Sequence, residues 1–269
     1  MRLGILGGTG WLGRGLGLGL LRAGLWDAPN LVILNRSGDR SAYGAVPVLW
    51  AQDLAEMQRL CEVIVLSVRP QDFPVAGFDP GGRLVISFMA GWSTARLRAL
   101  APQARWVRAM PNGGAISGQS YTPWLAEALT PADVGLVQRI LSGMGAEERI
   151  ETEDQLDYLT ALSGSGAAYP ALMARAMLAD AQTRGLSPAV AQRAVEAVIC
   201  GSTGLLAGQI GQVDALLDSY RSYRGITAAG LDAAQAAGFE TAVQAALAAA
   251  TVKAQEMGRG QGKFFGEEF

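Results

Sequence analysis

The chain has 269 residues, half of them hydrophobic, with 22 Lys and Arg against 24 Asp and Glu for a formal charge of −2. Near-neutrality with basic residues scattered singly argues against a nucleic-acid face or a polybasic membrane surface, which leaves small molecules and copies of itself as partners. The absence of histidine excludes histidine triads and histidine-ligated metals, so no metal site is expected and proton transfer falls to Tyr, Lys, Asp, Glu, Ser, Thr or water. Cys61 and Cys200 are too few and too far apart for a disulfide framework, and a reducing cytoplasm fits best.

Leu3, Ile5 and Leu6 predict a short buried strand, and a helical pattern runs from Leu12 to Leu25. Between them Gly8, Gly10 and Gly13 stand at the spacing G-x-G-x-x-G, with Thr9, Trp11 and Leu12 filling the gaps. Gly8 is expected to permit the tight turn, Gly10 to let backbone approach a phosphate, and Gly13 to pack the new helix on the strand. The helix's free N–H groups and positive dipole end then face the anion. Arg2 followed by Leu16, Leu18, Leu20 and Leu21 superficially matches a secretory signal. Arg14 and Arg22 interrupt that run, glycine is dense in it, and no clean cleavage site follows. No stretch offers the roughly 20 uncharged apolar residues of a membrane span.

Residues 31–36, LVILNR, predict a second buried strand. An acidic residue here would accept from a ribose 2′-hydroxyl, whereas an arginine favours a 2′-phosphate. Asn35, Arg36 and Ser37, with Asp39 beyond them, therefore favour NADP(H) while leaving NAD(H) open. Val46 to Leu49 reads as a short strand and Asp53 to Arg59 as a helix. Three further strands follow: Cys61 to Val68, running into Arg69-Pro70; Arg83 to Phe88, running into Met89-Ala90-Gly91; and Trp106 to Met110, ending at Pro111-Asn112. Open α/β sheets bind ligands at such carboxyl ends, so Ser67, Val68, Arg69, Pro70, Ala90, Gly91 and Asn112 join the candidate cofactor residues. The alternation predicts a mainly parallel, doubly wound sheet.

Pro131 to Gly143 predicts a helix capped by Thr130, and Glu147 to Ile150 a last short strand. Beyond residue 150 alanine dominates and strand-like runs disappear. Periodic apolar positions predict long helices broken near Gly185 to Pro188, Gly208 to Gly211 and Ser222 to Gly225. The expected division is therefore an α/β Rossmann-like domain over 1–152 and an all-α domain over 153–269. Ala242 to Ala250 carries more small apolar surface than one chain readily covers, which predicts helix exchange with a second copy. The glycine-rich tail, GRGQGKFFGEEF, is expected to fray.

The ordered set GTGWLG (8–13), NRS (35–37), SVRP (67–70), MAG (89–91), RAMPN (108–112), SGSGAAY (163–169) and SYRGITAAGL (222–231) resembles the pyrroline-5-carboxylate reductase family over nearly the whole chain. The resemblance implies an N-terminal NAD(P)H domain, a helical domain that dimerises by interlocking helices, with larger assemblies of dimers in some members, and hydride transfer to the carbon of a cyclic imine. It also implies a substrate-carboxylate loop, usually SPGGTT, that falls on Ser222, Tyr223, Arg224, Gly225, Ile226 and Thr227, with Ser165 contributed by SGSG. Ser222, Gly225 and Thr227 keep the family's residue types, while Tyr223, Arg224 and Ile226 depart from them. On this reading Thr227 sits by the ring nitrogen as donor or orienter of a water, Tyr223 is the second candidate acid, and Arg224 pairs with a carboxylate. The loop departures leave as an alternative a paralogous imine or keto-acid reductase with a different substrate, and the fold alone also leaves open a nucleotide-binding regulatory protein without catalysis.

Overall fold

The computed structural model describes residues 1–259, and the expectation for the tail from residue 260 onward lies outside them. The strands are β1 (Leu3–Leu6), β2 (Leu31–Leu34), β3 (Leu49–Trp50), β4 (Val63–Leu66), β5 (Leu84–Ser87), β6 (Arg105–Ala109), β7 (Ser120–Leu125) and β8 (Gly145–Arg149). They form one sheet in the order β3-β2-β1-β4-β5-β6-β7-β8, parallel throughout except between β6 and β7. β1 pairs in register with both neighbours, Leu3 facing Leu31 on one side and Val63 on the other. The strand order reverses there, and a crevice opens at the carboxyl ends.

The parallel strands β1, β2, β4 and β5 read as apolar runs because both faces are covered. Alternate side chains divide between two cores. Leu3, Ile5, Leu31, Ile33, Val63 and Val65 pack with Leu16 and Leu20 of α1 (Trp11–Arg22). Leu6, Val32, Leu34, Ile64 and Leu66 pack with Met57 of α2 (Leu54–Leu60) and Leu97 of α3 (Thr94–Leu100). The glycines of α1 let it lie against its neighbours without intervening side chains: a Cβ on Gly15 would stand 3.0 Å from the Ala115 carbonyl carbon. α4 (Pro131–Leu141) starts at Thr130 in a reciprocal capping box with Asp133.

Several element bounds differ from the sequence expectation by a few residues, and one strand was not foreseen. The strand expected over Val46 to Leu49 is β3, Leu49–Trp50. The helix expected to reach Leu25 ends at Arg22. β7 was not foreseen: its SYTPWL sequence holds Pro123, which demotes a strand on pattern alone, but the Pro123 carbonyl still accepts from Met110 N at 3.0 Å.

Compactness divides the chain later than composition does. Among the described residues one unit comprises Met1–Gly164 together with residues 249–259, and the other Ser165–Ala248. α5 (Glu153–Leu159) belongs to the first because its Glu153 and Asp157 reach Arg108 on β6. The second unit holds α6 (Ala168–Thr183), α7 (Pro188–Glu196), α8 (Val213–Ser222), α9 (Ile226–Ala236) and the first part of α10 (Phe239–Gly258). The expected helix breaks fall where α6, α8 and α9 meet their neighbours, and Gly238, with φ +81°, makes a further one. Large apolar side chains of this unit stand exposed on the single chain, among them Leu172, Leu205, Ile210 and Phe239. Among the described residues no single helix is long and apolar enough to cross a membrane.

Candidate active site

The glycine turn sits where three strand ends meet. Gly7 N donates to Leu34 O (2.8 Å), Ser67 N to Leu6 O (2.8 Å), and Gly10 N to Gly7 O (2.9 Å). The turn itself requires Gly7, at φ +82°, and not Gly8 as expected; Gly8 is the position where a Cβ would press on Ile33, 2.9 Å from its Cγ2. At Gly13 an added Cβ would run into Gly7 O and stand 2.9 Å from Gly8 Cα, so the helix start packs directly on the turn. Gly10 is the N-cap of α1, and no side chain caps that helix. Its first-turn N–H groups, those of Trp11, Leu12 and Gly13 included, are therefore available to an anion. The Trp11 ring is largely exposed and donates to Gly113 O at 3.3 Å.

A groove of about 730 Å³ opens from this turn. Of the expected cofactor residues, it is lined by Thr9, Gly10, Asn35, Arg36, Ser37, Ser67, Val68 and Arg69. Asn35 organises the far end: its Nδ2 donates to Thr9 Oγ1 (3.0 Å) and Asp39 O (2.6 Å), and its Oδ1 accepts from Gly38 N (3.1 Å). The Ser41 amide and hydroxyl hold the Asp39 carboxyl below its usual pKa. The Gly7 turn and the uncapped helix start fit the central pyrophosphate of a dinucleotide, and the two arginines fit a 2′-phosphate on its adenosine ribose.

Three groove residues, and one buried residue that holds the glycine turn, were not foreseen. Gly7 precedes the G-x-G-x-x-G spacing, and its neighbour Gly8 masked it. Asp72 accepts from both Arg36 Nη1 (3.0 Å) and Arg69 Nε (2.6 Å). The bond from Arg69, and then that from Arg36, hold its pKa below the usual aspartate value. Asp53 lines the groove while capping α2. Tyr43 is buried and donates to Gly8 O at 3.1 Å, and burial pushes its pKa well above the usual phenol value. Only the run of short polar residues after β2 hints at any of these contacts.

The remaining cofactor candidates lie outside the groove lining. Pro70 opens the short turn Pro70–Asp72 that brings Asp72 back toward Arg69. Gly91, at φ +73°, lies against Met257, where a Cβ would meet the Met257 Cβ at 3.0 Å; Ala90 packs beside Met110, Leu125 and Leu156. The Asn112 Oδ1 accepts from Gly114 N (2.9 Å) and caps the turn Gly113–Ser117. Beneath these strand ends Arg108, 2% exposed, pairs with Glu153 and with Asp157 (3.1 Å). Thr94 N donates to the same Glu153 at 2.6 Å.

In the helical unit the expected substrate residues other than Ser165 fall on one connection, between α8 and α9. Ser222 ends α8, Arg224 takes φ +49°, and Gly225 is the N-cap of α9 without a side-chain cap. Ile226 and Thr227 are the first two residues of that helix. Tyr223 and Ile226 are 87% and 93% exposed on the single chain. Ser165 is exposed in the turn before α6, its carbonyl accepting from Ala168 N at 2.8 Å.

A doubly wound sheet with a glycine turn and an arginine-lined groove, continued by an alanine-rich helical unit, defines a class: Rossmann-type nucleotide-binding proteins with a separate helical domain. The comparisons narrow it. Residues 153–257 match the family of pyrroline-5-carboxylate reductase dimerisation domains. Residues 2–91 match the family described as coenzyme F420-dependent NADP oxidoreductase. The chain is 32% identical to the pyrroline-5-carboxylate reductase of Thermus thermophilus, over 97% of this chain and 100% of that one. It is 30% identical to that of Synechocystis sp., over 96% and 99%. The solved Plasmodium falciparum pyrroline carboxylate reductase with NADP bound superposes with a TM-score of 0.83 at 26% identity, covering 96% of this chain and 98% of that one. The chain belongs to the pyrroline-5-carboxylate reductase family.

Proposed function

We propose that the protein is an NADPH-dependent reductase that converts 1-pyrroline-5-carboxylate to proline. End-to-end similarity to pyrroline-5-carboxylate reductases, together with a groove that has phosphate-binding features at both ends, carries this reading. The first-turn N–H groups of α1 and the Gly7–Gly13 turn hold the pyrophosphate, and Arg36 and Ser37 hold the 2′-phosphate. Bound NADPH supplies the hydride.

The uncapped start of α9, with the N–H groups of Ile226 and Thr227, receives the substrate carboxylate, and Ser222 and Ser165 add hydroxyl donors. The Thr227 hydroxyl holds the proton, or orients the water that carries it, at the ring nitrogen. Protonation there makes the neighbouring carbon a better hydride acceptor. Tyr223 is the second candidate donor, since a phenol with pKa about 10 keeps its proton at neutral pH. Arg224 adds a fixed positive charge where the usual family loop has glycine, and favours carboxylate-bearing imines. The active form is a homodimer, which accounts for the apolar side chains exposed on the single helical unit. A cytoplasmic reaction is the reading supported by the use of NADPH and by two cysteines of which neither is in a disulfide.

The test is NADPH oxidation with a panel of cyclic imines with and without a carboxylate. Proline formation with a strong preference for the carboxylated five-membered imine is expected. Turnover of uncharged imines alone, or NADPH binding without turnover, would overturn the reading.

A further inference from the structure

The part of the groove that takes the 2′-phosphate already contains an anion. Arg36 and Arg69 are the two basic residues on its lining, and Asp53 and Asp72 the two acidic ones. Asp53 Oδ1 is committed to Glu56 N, the start of α2, at 2.7 Å. Asp72 is differently placed. Its two oxygens accept from two different guanidiniums, Arg36 Nη1 at 3.0 Å and Arg69 Nε at 2.6 Å, and one such bond is what each phosphate oxygen would make. The arginine side chains are 82% and 68% exposed and that of Asp72 is 24% exposed. Exposed ion pairs of this kind contribute little to folding, so the carboxylate is dispensable to the sheet and acts chiefly on whatever else approaches the arginines.

We infer that Asp72 is a built-in counter-ion of the 2′-phosphate subsite and a specificity-determining residue that restrains the preference for NADPH over NADH. The inference rests on reading the groove as the NADPH site. A 2′-phosphate must share Arg36 with Asp72 or displace it, and carries up to two negative charges to within a few ångströms of a third. A 2′-hydroxyl carries none and leaves the Arg36–Asp72–Arg69 arrangement undisturbed. The carboxylate therefore weakens the phosphorylated cofactor and spares the other.

The measurement is calorimetric titration of the purified dimer, without imine, with NADP+ and with NAD+, for wild type and for Asp72→Asn and Asp72→Ala. Both substitutions remove the charge, and Asn keeps the size. Removing one repulsive charge near a dianion at the protein surface is expected to tighten NADP+ about three- to tenfold at low salt, with NAD+ changed by less than about twofold. The gain should fall below about twofold in 1 M salt. Weaker NADP+ binding in the variants would make Asp72 an organiser of the arginines and overturn the inference. An unchanged NADP+ to NAD+ ratio in a chain that binds both would overturn it as well and leave the cofactor site standing. Failure of the wild type to bind either dinucleotide would overturn the cofactor reading and this inference with it.

Discussion

Substituting Gly13 by alanine sets two effects against each other inside one helix. Alanine in a helix is favoured over glycine by about 1 kcal/mol, so on propensity alone Gly13→Ala should stabilise the protein. The new methyl, however, would stand 2.9 Å from Gly8 Cα and 3.0 Å from the Gly7 carbonyl carbon, and closer still to Gly7 O. All of these are backbone atoms and no rotamer change relieves them, so α1 must move off the turn it packs on. A phosphate that loses one charge-assisted bond to the first-turn N–H groups loses about 1.5–3 kcal/mol, or roughly ten- to a hundredfold in Kd. Gly135, exposed on α4 with nothing within 4 Å of an added Cβ, is the internal control. There the same substitution should raise stability by about 0.4–1 kcal/mol and leave the cofactor Kd alone. Urea unfolding and NADPH fluorescence titration read both quantities. If Gly13→Ala binds NADPH within about twofold of wild type and gains stability as Gly135→Ala does, the packing argument at the turn is wrong.

Four other outcomes follow from named contacts. Arg108→Leu leaves Glu153 and Asp157 without their shared buried cation and should cost about 3–5 kcal/mol by urea unfolding; a loss below about 1 kcal/mol would contradict this. Burial, outweighing the neighbouring Arg108, holds the Asp157 pKa above the usual aspartate value. The native form then binds that proton more tightly than the unfolded chain. The stability it contributes is complete below the ordinary aspartate pKa of about 3.9 and is lost as pH rises through the native value. Asp157→Asn should remove this slope from the unfolding free energy measured over the acid range, and a slope that persists would refute the assignment. Cys61, whose thiol burial pushes up to about 12, should resist alkylation at pH 8 until the protein unfolds, as peptide mapping would show. Thr227→Ala should lower kcat at least about tenfold with NADPH Kd unchanged, and unchanged turnover would remove Thr227 from the chemistry.

The centre of the sheet was legible because β1, β2, β4 and β5 are buried on both faces and so read as LGIL, LVIL, VIVL and LVIS. Thr130 likewise announced α4 through a side chain that bonds its own neighbourhood. β7 escaped because Ser120, Thr122 and Pro123 are loop-like in composition, and it is held by its place between β6 and β8. Gly7 and Gly8 are adjacent, and only the backbone tells which of them turns. The bridging of Arg36 and Arg69 by Asp72 joins residues 36 positions apart, a distance over which local pattern carries no information. The change to alanine-rich composition near 152 preceded the break in compactness after Gly164 because Glu153 and Asp157 tie the first helix beyond it to Arg108.

The most direct test of the account is isotopic. The purified chain, given 1-pyrroline-5-carboxylate and NADPH deuterated at nicotinamide C4 on each face in turn, should form proline carrying one deuterium at Cδ from one of the two labelled cofactors, as read by mass spectrometry and NMR. Proline without label from either cofactor, or no proline while another imine consumes NADPH, would contradict it.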